Sequence, residues 1–65
     1  MPKKVRELKD RLRKAGFAMR SGKGGHTVWT HPGYAGRVVI SGNDGDDAKP
    51  YQERDTRDAL AALGE

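Results

Sequence analysis

At 65 residues, 34% of them hydrophobic and none of them cysteine, the chain has room for one domain with a thin core, residues 1–65, and for neither a disulfide framework nor a thiolate metal site. No run approaches the roughly 18 apolar residues of a membrane span, and Met1-Pro2-Lys3-Lys4 does not lead into the apolar stretch of about 7 to 15 residues that marks a signal peptide; a reducing, cytoplasmic setting with no membrane is expected. The formal net charge of +4 is unevenly spread: residues 1–41 carry ten Lys/Arg against Glu7 and Asp10, a balance of +8, and residues 42–65 carry three against seven acids, a balance of −4. A localised basic surface gathers polyanions, although a solvated, solubilising surface accounts for the composition equally well.

Val5, Leu8, Leu12 and Ala15 recur at three- and four-residue steps among charged residues, which predicts an amphipathic helix over residues 3–15 with Gly16 as its stop. Phe17 to Arg20 alternates as a short strand, and Ser21-Gly22-Lys23-Gly24-Gly25 reads as a turn. His26 to His31 holds the strand formers Thr27, Val28, Trp29 and Thr30, Pro32 to Gly36 has turn chemistry, and Arg37 to Ser41 is a third strand. Past the polar loop Gly42 to Asp47, a second helix is expected to start near Pro50, which suits a first turn, with Tyr51, Thr56, Ala59, Leu60 and Leu63 near one face. The sum is an α+β fold of helix-strand-strand-strand-helix order. Its three-stranded antiparallel meander carries both helices on one face and leaves the other open.

His26 stands where the glycine-rich turn meets the second strand, close to Lys23. Imidazole, with an ordinary pKa of roughly 6.5, takes a proton from a ribose 2′-hydroxyl or gives one to a leaving oxygen near neutrality without a metal. Glycines let a phosphate approach backbone N–H groups, and a neighbouring lysine offsets phosphoryl charge; the plainer reading is a strand-start histidine paired with a backbone carbonyl. His31, before Pro32, reads as a turn residue, and its separation from His26 places the two on opposite faces of a strand, which disfavours a shared metal. Asn43-Asp44-Gly45-Asp46-Asp47 departs from the calcium-loop spacing, and Ser21 to Gly25 lacks the phosphate-loop pattern of nucleotide-binding proteins, so no cofactor is expected. Trp29 reads as core before base-stacking, Tyr34 as a freer turn residue, and Arg6, Lys9, Arg13, Lys14 and Arg20 as phosphate contacts or a solvated helix face.

With Ala15-Gly16-Phe17, then the run Gly22-Lys23-Gly24-Gly25-His26-Thr27-Val28-Trp29-Thr30-His31-Pro32, then the strand from Arg37 to Ser41, the chain resembles the HicA family of toxin endoribonucleases over nearly its whole length. The resemblance implies a fold of the kind found in double-stranded RNA-binding domains and a metal-independent cleavage of messenger RNA. It further implies that His26 is the catalytic residue and that a HicB-type antitoxin binds the protein and covers the site; from the residues themselves, Lys23, Gly24, Gly25, Arg20 and Lys14 are the expected RNA contacts. The family often has serine directly before the histidine, where this chain has Gly25. Two other readings stand beside the nuclease: an RNA-binding module that does not cut, which needs only shape and phosphate contacts, and an inactive homologue kept as an antitoxin partner.

Overall fold

The computed structural model describes residues 3–64, with α1 (Val5–Lys14), β1 (Ala18–Ser21), a 3-10 turn (Lys23–Gly25), β2 (Thr27–His31), β3 (Tyr34–Ile40) and α2 (Pro50–Ala62) in that order. The strands pair antiparallel in the order β1-β2-β3. One core cluster joins Val5, Leu8 and Leu12 of α1 and Ala59 of α2 to Trp29, Val38 and Ile40 of the sheet, so both helices lie on one face, as the pattern implied. Apolar side chains at every third or fourth position form the stripe of α1 that packs there.

Both ends of α1 are closed by specific bonds. At its carboxyl end Gly16 takes a φ of +95°, and the N–H groups of Gly16 and Phe17 donate to the carbonyls of Arg13 and Leu12 at 3.1 and 3.0 Å. This is the paired closure that a left-handed glycine permits, and it delivers Phe17 into the core beside Leu12. At the amino end the Glu7 carboxylate accepts the Lys4 N–H at 2.7 Å. The helix's own first N–H groups, those of Val5 and Arg6, donate to the carbonyls of Asp46 and Asp44 at 2.9 and 3.2 Å. The acidic segment, read from the sequence as a polar loop, therefore also supplies acceptors that the first turn of α1 lacks. Lys4 with Asp47 at 2.6 Å and Lys9 with Asp44 at 2.8 Å tighten the same contact.

Three expectations shift. β1 begins one residue later than Phe17, because the helix closure has already turned that ring inward. β3 begins at Tyr34 rather than Arg37: only Pro32 and Gly33 form the turn, and His31 pairs with Tyr34. Gly36 serves a bulge between the Trp29–Val38 and His31–Tyr34 pairs, where a Cβ would come within 3.2 Å of the Tyr34 ring; bulges of this kind bend and twist the strand. Tyr34 is thus a half-buried strand residue, its ring centroid 6.2 Å from that of Phe17, and not a free turn aromatic.

In α2 the inward position falls to Gln52, only 1% exposed, while Tyr51 is 44% exposed. Apolarity favoured the tyrosine in the sequence. The helix instead turns its buried stripe to Gln52, Thr56 and Ala59, because the buried amide is fully used: Oε1 accepts the Lys49 N–H at 3.0 Å, and Nε2 donates to the Ser41 carbonyl and hydroxyl oxygens, each at 3.2 Å. A paired amide can be buried at little cost, and this one ties the start of α2 to the end of β3.

Candidate nucleic-acid interface

Gly22 to Gly25 carry β1 into β2 through a turn that needs glycine at two successive positions, since Gly24 and Gly25 have φ of +65° and +79°. Side chains with a Cβ are disfavoured there by roughly 1–2 kcal/mol per residue. The Gly22 N–H donates to the His26 carbonyl at 2.7 Å, and the His26 N–H to the Lys23 carbonyl at 3.2 Å, so the backbone of His26 is held on both sides. Its side chain is not. The residue is exposed, and neither ring nitrogen has a hydrogen-bond partner among the described residues. The imidazole lies along Gly24, whose hypothetical Cβ would stand 3.7 and 3.9 Å from Cδ2 and Nε2. The plainer alternative, a ring spent on a backbone carbonyl, is not what this histidine does.

His31 is that kind of residue instead. Its Nδ1 accepts the Gly33 N–H at 2.8 Å, and its ring sits 5.2 Å from that of Phe17. Side chains alternate along β2, so His31 shares the helix-covered side with buried Trp29, and Val28 and Thr30 take the open side; β2 starts at Thr27 rather than His26, whose ring lies over the turn beside Gly24. Trp29 is 1% exposed; its indole N–H donates to the Thr27 hydroxyl at 3.0 Å, and that hydroxyl donates to the Ile40 carbonyl at 3.0 Å. With the Arg13 guanidinium 5.5 Å from its ring centroid, it is core and not a stacking platform.

The cations expected around His26 divide into two groups. Lys23 is exposed in the turn itself. Arg20 pairs with Val28, and because Gly22 bonds to His26, the alternation of β1 puts Arg20 on the open face one diagonal step from His26, a spacing of about 7–8 Å between such neighbours. Lys14 stands apart: it ends α1 and precedes the start of β1, the strand end opposite His26. The sequence reading passed over Arg37 and Val39. Both are exposed on β3, where Val38 and Ile40 point into the core, and the alternation Arg37-Val38-Val39-Ile40 was the signal. The open face thus presents Arg20 and Arg37 around Val28 and Val39, with His26 at one end.

The sharpest electrostatic perturbation lies elsewhere. The hydrogen bond and the charge of Lys9, helped by Arg13 and Arg6, hold the Asp44 carboxyl below its ordinary value, which belongs to the clasp on α1.

Comparison with known proteins bears on these features. The family model described as HicA toxin of bacterial toxin-antitoxin matches residues 5–63. No curated protein and no solved structure matches the chain.

Proposed function

The chain belongs to the HicA toxin family of bacterial toxin–antitoxin systems, and from that premise we propose that it is an endoribonuclease toxin that cuts messenger RNA with His26 as general base and acid. One observation carries this reading: an exposed imidazole with both nitrogens unpaired among the described residues, set on a glycine turn beside Lys23. In the step so assigned, His26 removes the 2′-hydroxyl proton, the 2′-oxygen bonds to phosphorus, and the phosphorus–O5′ bond breaks as O5′ is protonated. The products are a 2′,3′-cyclic phosphate and a 5′-hydroxyl. Lys23, the backbone N–H groups around Gly24 and Gly25, and Arg20 offset charge on the phosphorane, while Lys14 grips the strand further along. The antitoxin expected of such a system is a HicB-type protein that covers His26, and the setting is the cytoplasm.

Purified chain incubated with RNA and chelator tests the assignment. Cutting that leaves 2′,3′-cyclic ends, lost in His26→Ala, is the expected result; cutting retained by that variant, or absent from the wild type, overturns it. One observation favours the second reading, an RNA-binding module: among the described residues no side chain orients the His26 ring. RNA retained in a gel shift without cleavage selects it.

A further inference from the structure

Away from His26, α1 and α2 meet at a groove of about 340 Å³, at the small end for a ligand site. Its rim is cationic, with Lys3 and Arg11 on one side and Arg54 and Arg57 on the other. Among the described residues Lys3 and Arg11 enter no ion pair, and Arg54 and Arg57 have only the adjoining Asp55 and Asp58, each 3.8 Å from Nε. A second observation points into the same place. Thr56 lines the groove, and its hydroxyl oxygen is buried with no hydrogen-bond partner among the described residues. Buried polar atoms are nearly always paired, and threonine in a helix has two accessible χ1 wells, so a rotation turns this hydroxyl toward an incoming acceptor.

We propose that the groove is a docking site for an acidic segment of a protein partner, with a carboxylate entering between Arg11 and Arg57 and accepting a hydrogen bond from Thr56. Guanidinium groups bind carboxylates through paired, charge-assisted bonds. The lining favours peptide over RNA. A nucleic-acid backbone is tracked by a continuous basic surface, whereas here the basic lining is interrupted by Glu53 and shared with apolar Leu8 and Pro50, which suits a single carboxylate better than a run of phosphates. The site is separate from the open sheet face, so the proposal stands whether or not the chain cuts RNA.

Amide NMR of the full chain at low salt, titrated with acetylated, amidated hexaglutamate, tests it. Shifts should centre on Arg11, Arg54, Thr56 and Arg57 and spare Lys23 to His26. The double variant Arg11→Ala, Arg57→Ala should weaken binding at least tenfold without altering RNA cutting. Thr56→Val, which keeps the shape and removes the orphan hydroxyl, should weaken it severalfold with no loss in melting temperature, an outcome a purely structural threonine would not give. Absence of shifts, or shifts spread equally over Lys14, Lys23 and Arg37, overturns the proposal. So does displacement of the peptide from the groove by hexauridylate on the His26→Ala chain, which would make it an RNA track.

Discussion

His26 and His31 are the same residue type five positions apart, one just before β2 and one at its end, and the structure gives them opposite fates. His31→Ala removes the acceptor of the Gly33 N–H and the ring beside Phe17, so it should lower stability by about 1–3 kcal/mol while RNA cutting at permissive temperature persists. His26→Ala breaks no side-chain hydrogen bond among the described residues and should leave the thermal melt unchanged while abolishing cutting; a variant pair showing the reverse would reassign both. Gly25 explains the missing serine at this scale. Its φ of +79° suits glycine, and a Cβ there meets nothing within 4 Å, so Gly25→Ser should be strained without clashing. The expected loss is about 1–2 kcal/mol, a fall of roughly 5–10 °C in Tm by circular dichroism. The turn that presents His26 was legible because glycine spacing announces a turn. The histidine's freedom from partners was not, because that depends on where the ring comes to rest.

At the scale of elements, the periodic stripe of α1, the glycine that ends it and the proline that opens α2 were all readable, since each obeys a local rule. What escaped were features set by contact between distant segments. Gln52 displaced Tyr51 because Ser41 lies within reach of its amide, and the pairing of Tyr34 with His31 left a two-residue turn where five residues had turn chemistry. The acidic loop shows the same limit, since its carbonyls reach the first turn of α1 only once the chain is folded. Lys9 keeps Asp44 ionised below its ordinary value of 3.8. A lowered carboxyl pKa in the folded chain stabilises it fully above that value, and the contribution disappears as pH falls through the lower, folded one. Melting temperature should therefore drop as pH goes below about 4, and Asp44→Asn should flatten that part of the profile. An unchanged slope in the variant would remove Asp44 from the clasp.

For the whole molecule, the core is small enough that one side chain governs it. Trp29 is the largest fully buried side chain of the core cluster, and Trp29→Ala should remove about 3–5 kcal/mol, much of what a domain of this size holds; loss of amide dispersion in the NMR spectrum is the expected reading. The division of charge between residues 1–41 and 42–65 was visible in the sequence, yet its meaning changed, because Asp44 and Asp47 pair with Lys9 and Lys4 at α1 while Asp55 and Asp58 flank arginines on α2. If Lys14, Arg20 and Lys23 each neutralise one phosphate, binding of single-stranded RNA to the His26→Ala chain should weaken with salt at a log–log slope of about −2. Alanine at Arg20 or Lys23 should reduce that slope by about 0.7, and a flat dependence would remove them from the interface. The clasp of Asp44 and Asp46 on Val5 and Arg6 also bears on how the protein is made. A nascent chain leaves the ribosome amino end first, and its first helix lacks those acceptors until residues some forty positions later have emerged. Products of translation that stop before the loop should therefore be short of a cap as well as of the core residues Ala48 and Ala59, and a cell producing such fragments should suffer no harm from them.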